Sequence, residues 1–390
     1  MDFALFKAAA DPPHWIYVTP VDSFSGIPTK YLHAVEDGRI QCDACPRFCK
    51  LHDGQRGLCF VRGRQGDDIV LTTYGRSSGF CIDPIEKKPL HHFLPGSSVF
   101  SFGTAGCNLA CRFCQNWDIS KSRETDTLSD SATPDSIADA AARLGCRSVA
   151  FTYNDPTTWL EYAVDVARAC HERDIRTVAV TAGYIAPEAR RDLYAEMDAA
   201  NVDLKGFSET FYRDVCAGQL APVLDTLEYL IHEAKTWVEI TTLLIPGHND
   251  SNAELDAMTR WIVDHLGSDV PLHLTAFHPD YKMRNVQPTL PETLSRARTI
   301  ALENGLRFVY TGNVHDHGGA STWCPACGKL LIERDWYELG TYAIDSEGRC
   351  FHCHAPIPGV FEARPGAWGR QRQSVVLNGP AAATGIPRSR

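Results

Sequence analysis

Cys107, Cys111 and Cys114 stand at the spacing C-x3-C-x2-C, directly after the apolar run Val99-Phe100-Ser101-Phe102. Three thiolates this close in sequence can hold three irons of a cubane [4Fe-4S] cluster. The fourth iron then has no protein ligand, and an open iron is where a small molecule can be bound and reduced. Structural zinc is the competing use, but it takes four ligands and leaves nothing open. No further cysteine follows before Cys146, and Asn116 and Asp118 are poor substitutes.

Two other cysteine groups flank this one. Cys42, Cys45, Cys49 and Cys59 fall within eighteen residues, with Gly54 and Gly57 between them. Glycines between ligands allow tight turns around one metal centre. A closed structural site suits the four thiols. Zinc is slightly favoured there, and an auxiliary iron-sulfur cluster is the alternative. Cys324-x2-Cys327 and Cys350-x2-Cys353 are two knuckles with 22 residues between them. Knuckles at this separation are a specific signal for a four-cysteine zinc ribbon, with rubredoxin-like iron as the runner-up.

The elements that must carry the central motif alternate in type. Short β-rich runs begin at Val99, Ser148, Thr177, Val202, Trp237 and Leu272, each followed by a helical pattern, and Phe308–Tyr310 reads as a further short strand. Repeated β-then-α units imply parallel strands with right-handed crossovers. Six units suit an incomplete barrel, whereas a full one has eight. A doubly wound sheet has the same pattern. In an α/β barrel the ligand sits at the C-terminal strand ends, and the three-cysteine loop follows the first strand. Along Asn201-Val202-Asp203-Leu204-Lys205, the period of two puts Asp203 and Lys205 on the face opposite Val202 and Leu204. The apolar pair belongs against the helices, so the charged pair points inward. An internal salt bridge is the bland reading of that pair.

The chain has 390 residues, 44% of them hydrophobic, and a formal net charge of -10. That acidic balance argues against a nucleic-acid partner. No apolar run reaches a membrane span and the N-terminus lacks a signal-peptide pattern, so no membrane partner is expected and the cytoplasm is the expected location. Fifteen cysteines there call for a cause other than disulfides; eleven fall in the three groups, and the isolated Cys81, Cys146, Cys170 and Cys216 are given no role. The expected organisation is a four-cysteine module over 1–75, a barrel over 76–318, a ribbon over 319–362, and a disordered tail over 363–390. Asp83–Phe93 reads as a polar connector.

The C-x3-C-x2-C motif, with aromatic Phe113 before its last cysteine, resembles that of the radical S-adenosylmethionine (SAM) superfamily. Residues from about 92 to 315 look like pyruvate formate-lyase activating enzyme and its relatives. The flanking cysteine modules and Asp83–Pro89 narrow this to the radical SAM enzymes of the AmmeMemoRadiSam gene neighbourhood. The resemblance implies an α/β fold, the partial (β/α)6 barrel of the superfamily. It also implies a [4Fe-4S] cluster on Cys107, Cys111 and Cys114, with SAM chelating the open iron. Asn154 and Asp155 match in position, though not in letters, a Gly-Gly-Glu-Pro-like motif that receives the SAM amino group. Asp203-Leu204-Lys205 resembles a segment whose lysine meets the SAM carboxylate and whose aspartate joins a monovalent-cation site. Thr181 matches another member of that site, and His278 a SAM-contacting histidine. The implied activity is an oxidoreductase-type reductive cleavage of SAM to a 5′-deoxyadenosyl radical. The electron would come from a donor such as flavodoxin or ferredoxin. The radical would abstract hydrogen from a peptide, protein or small molecule, or a glycyl radical would be installed on a partner enzyme. The rival from another class is a metal-binding adaptor.

Overall fold

A computed structural model describes residues 26–121 and 130–377. Its centre is a sheet of parallel strands that neighbour one another in chain order. We label them β2 (Ser98–Gly103), β3 (Ser148–Phe151), β4 (Arg176–Thr181), β5 (Ala199–Asp203), β6 (Trp237–Leu244), β7 (Leu272–Ala276) and β8 (Val309–Gly312); β1 (Arg76–Pro84) is antiparallel to β2. The helices α1 (Pro134–Arg143), α2 (Leu160–His171), α3 (Pro187–Tyr194), α4 (Ala221–His232), α5 (Asn252–Leu266) and α6 (Pro291–Glu303) lie in the connections. This is an open α/β barrel. It has one more parallel strand than six, because the short run near Phe308–Tyr310 pairs with β7 as β8.

Local chemistry starts the helices where the connections need them. Thr133 accepts from the Ser136 amide ahead of Pro134, and Ser251 accepts from the Glu254 amide, each at 3.2 Å. Each is an N-cap that satisfies one of the amides a helix start leaves free. Outward strand residues such as Phe102, Phe151, Val202 and Ile240 are fully buried in the main core with the helices. Inward positions are smaller or polar. Val99, Ala150, Val178 and Ala199 surround Ile85, Leu90, Phe93 and Leu94 in a separate cluster.

That cluster corrects one expectation. Asp83–Phe93, read as a polar connector, instead ends β1, makes a turn over Ile85–Lys87, and is mostly buried against the inner face. Its polar groups find distant partners. Glu239 of β6 accepts from the His91 and His92 amides at 2.9 and 2.8 Å and meets His273 Nε2 at 2.6 Å. Buried polar groups need such partners.

The N-terminal module has two small antiparallel sheets, with Cys42 ending a strand and Cys45, Cys49 and Cys59 in the turns, and buried Arg62 fastens it to α2. Its guanidinium donates to both Glu161 oxygens at 2.9 and 2.5 Å. The C-terminal knuckles flank an antiparallel ribbon over Leu330–Asp335 and Glu338–Tyr342. Arg334 of that ribbon donates to the His91 carbonyl at 2.8 Å, and Phe308 and Tyr310 complete the ribbon core. The tail expected to be disordered from 363 onward is ordered as far as 377: Gln373 and Ser374 pair with Ile82 and Cys81 of β1. Residues 378–390 lie outside the described residues, as do 1–25 of the N-terminal module. Among the described residues, no helix is long and apolar enough to cross a membrane.

Candidate functional site

The C-terminal strand ends surround a cavity of about 320 Å³, lined among others by Cys107, Cys111, Phe113, Cys114, Asn154, Asp155, Thr181, Asp203 and Lys205. Residues that span a hundred positions of sequence are therefore brought together. His278 is not: it is exposed at the rim, with Nδ1 3.2 Å from Gln115 Nε2.

The three-cysteine loop is held by its backbone. Asn154 is buried, and its amide nitrogen donates to the Ala105 and Gly106 carbonyls at 3.1 and 2.8 Å and to Thr104 Oγ1 at 3.2 Å. Its oxygen accepts from the Thr104 amide at 3.0 Å. On the other side the Ala110 and Arg112 amides donate to the Cys216 and Val215 carbonyls, both at 2.9 Å, and Lys121 Nζ donates to the Leu109 carbonyl at 2.6 Å. Asn154 thus spends its carboxamide on the loop, not on the cavity.

Asp155 and Thr181 are tied to each other. The Thr181 hydroxyl donates to the carboxylate at 3.1 and 3.2 Å, and the Ala182 amide donates to it at 2.7 Å. Asp155 also accepts from the Thr157 amide at 3.0 Å, where Pro156 opens the turn into α2. Asp203 and Lys205 both reach the cavity, with Nζ 2.8 Å from the carboxylate and 5.9 Å from the Phe113 ring centre. Burial opposes the Lys205 charge, but Asp203 and Cys111 outweigh it and hold the ammonium well above its usual range.

Two of the three thiols are poorly placed to ionise alone. Burial, helped by Asp155, pushes Cys107 up to about 12, and burial also raises Cys114 despite the Ser120 hydroxyl 3.2 Å away. Cys111 is lowered, first by its hydrogen bond with Cys216 and then by Lys205 and Lys121. Thiolates at Cys107 and Cys114 need a bound cation to form, and the thiolate is the ligand form. Three thiols facing one cavity, with no fourth cysteine lining it, fit a cluster that keeps one iron open. Lys87, Tyr153 and Thr241 also line the cavity and were not singled out from sequence. Lys87 was legible only as part of a polar run, and Thr241 only through its inward register beside Asp203.

The four C-terminal sulfurs all lie within 4.8 Å of one another. The Cys324–Cys353 and Cys327–Cys350 separations are 3.6 and 3.8 Å. Four sulfurs at 2.3 Å around one tetrahedral ion stand about 3.8 Å apart.

Comparison with known proteins adds relatives to this geometry. The Radical SAM superfamily matches residues 102–258. An uncharacterized protein of Methanocaldococcus jannaschii is 40% identical over 328 residues, covering 84% of this chain and 97% of that protein. The benzylsuccinate synthase activating enzyme of Thauera aromatica is 29% identical over 132 residues, 33% of this chain and 39% of the enzyme. A solved radical SAM methyltransferase from Sphaerobacter thermophilus shares 16% identity, over 78% of this chain and 81% of that one, with a TM-score of 0.46.

Proposed function

The chain belongs to the radical SAM superfamily, and on that premise we propose that it cleaves SAM reductively and abstracts a hydrogen atom from a peptide, protein or small-molecule substrate. The observation that carries this reading is the convergence of Cys107, Cys111 and Cys114 with Asp203 and Lys205 on one cavity at the strand ends. A [4Fe-4S] cluster held by the three thiolates would supply one electron to the SAM sulfonium, releasing methionine and a 5′-deoxyadenosyl radical.

The chain's own residues do the rest. Lys205 presents a cation to the SAM carboxylate, and Asp203 holds that cation in place. The Asp203 oxygen not bound to Lys205 is the one left for a monovalent cation. Phe113 and Leu243 give the cavity apolar wall, which excludes water from a reactive intermediate. Asn154 acts through the loop, as a positioning residue. A one-electron donor of the flavodoxin or ferredoxin class delivers the reducing equivalent, and the fifteen cysteines suit a reducing cytoplasm. The C-terminal cysteines take one structural zinc, supported by their sulfur separations.

A second reading is activation of a glycyl-radical enzyme, supported by the likeness to the benzylsuccinate synthase activating enzyme over a third of the chain. The test is anaerobic: load the protein with iron and sulfide, reduce it with dithionite, and measure 5′-deoxyadenosine formed from SAM. Formation that disappears in Cys107→Ala supports the reading, and formation retained in that variant overturns it.

A further inference from the structure

The two flanking cysteine sites differ in how their sulfurs are spaced. At the C-terminal site the four sulfurs touch, as they do around a single ion. At the N-terminal site Cys42, Cys45, Cys49 and Cys59 line one enclosed cavity of about 20 Å³, with Asn108, Thr157 and Thr158. Among the described residues, the four C-terminal cysteines are the one group of three or more candidate ligands whose atoms all lie within 4.8 Å of one another. No three of the N-terminal sulfurs therefore all lie within 4.8 Å of one another, and the same holds for Cys107, Cys111 and Cys114. Thiolates around a cubane stand on the order of 6 Å apart, because the irons and sulfides fill the space between them. A lone ion at 2.3 Å from each sulfur would draw all four within about 3.8 Å of one another.

The place of this cavity is equally informative. Gly106, just before the first cysteine of the central motif, packs on the module: a Cβ there would come within 2.1 Å of the Cys59 carbonyl oxygen. Arg47 Nε donates to the Asn108 carbonyl at 2.8 Å, and the same guanidinium donates to the Ala217 carbonyl. Asn108 faces the N-terminal cavity, while its neighbours Cys107 and Leu109 face the large one. A single turn of chain separates the two.

We propose that Cys42, Cys45, Cys49 and Cys59 hold a second cubane [4Fe-4S] cluster, set against the loop of the first, rather than the zinc ion that their sequence spacing slightly favours. Such a cluster takes one electron from an external one-electron donor and can pass that electron on, with no atom transferred. The inference uses the radical SAM reading only to calibrate the wider spacing. Its test is separate from it.

The experiment uses the full chain with Cys107→Ala, Cys111→Ala and Cys114→Ala together, loaded anaerobically with iron and sulfide. About four irons and four sulfides per chain are expected, with the paramagnetic resonance signal of a reduced cubane after dithionite. Adding Cys42→Ser and Cys59→Ser should remove them. A triple variant that carries zinc at the N-terminal site and no sulfide overturns the proposal, as does iron retained after the serine substitutions. Should the triple variant fail to fold, Cys42→Ser with Cys59→Ser in the otherwise native chain gives the same answer. Iron falling from about eight to about four supports the second cluster, and unchanged iron overturns it. Loss of the radical SAM reading would look different: the native chain would hold the N-terminal cluster and form no 5′-deoxyadenosine.

Discussion

Lys205 Nζ sits 2.8 Å from Asp203, two residues back on the same strand end, and the lysine is the more buried of the two, 14% exposed against 36%. An inward acid and base at this depth cost desolvation that a ligand or a partner must offset. Replacing Lys205 by Met should weaken SAM binding roughly tenfold or more, in line with loss of a charged contact. Iron loading should stay intact. Equilibrium dialysis with loaded protein reads the first, and metal analysis the second. Unchanged SAM affinity would remove Lys205 from the site.

Asn154→Ala leaves the Thr104 amide and the Ala105 and Gly106 carbonyls short of partners. The expected cost is roughly 1–3 kcal/mol in local stability. Cluster loading should fall while any protein that does load binds SAM normally. Should SAM affinity fall at full loading, Asn154 touches the ligand after all.

Gly106 has φ +82°, and a side chain there would collide with the Cys59 carbonyl. Gly106→Ala should cost at least about 1 kcal/mol through backbone strain alone. Loosening the module from the loop should also make Cys59 react faster with a thiol reagent in metal-free protein. Equal labelling of Cys59 in native and variant chains would dissociate the two.

Cys324→Ala removes one of four mutually close thiols. The variant should lose about one zinc per chain and melt on the order of 10 °C lower, because metal binding contributes directly to folding. SAM cleavage per loaded cluster should persist. A variant with native zinc content and melting temperature would refute the zinc assignment.

His92 makes the acid limb of stability testable. Burial pushes it down to about 4, and His91 lies well below its usual value for the same reason. Its Nδ1 faces the Pro358 carbonyl and its Nε2 the Tyr310 hydroxyl, both at 2.6 Å, which suits the neutral ring. Unfolded chain takes up the proton near pH 6.5 and folded chain does not. Stability therefore falls as pH drops from about 6.5 to about 4, by on the order of 3 kcal/mol for His92, and this contribution then levels off. Denaturant unfolding across that window should show a shallower slope in His92→Gln than in the native chain. Identical slopes would mean that His92 is not held neutral.

The cysteine motif and the βα rhythm were legible because both depend on local spacing. Buried parallel strands such as Ser148–Phe151 read as short apolar runs. The inward aim of Asp203 and Lys205 followed from strand periodicity and the apolar partners Val202 and Leu204. What was hidden depends on distant partners. Asp83–Phe93 looks polar, yet Lys88 pairs with Asp83 inside the segment, the His91 and His92 amides donate to distant Glu239, and the His91 carbonyl accepts from distant Arg334. Asn154 reads as an available acceptor until Thr104–Gly106 are seen to occupy it. The pairing of Gln373 and Ser374 had no signal in a stretch without alternating apolar residues.

That last pairing has a consequence for the molecule in a crowded solution. β1 closes one side of the sheet, and an exposed strand margin is a template on which another chain can add a strand. Gln373 and Ser374 occupy that margin at Cys81 and Ile82, so the protein carries its own polar stopper against self-templated growth on this side.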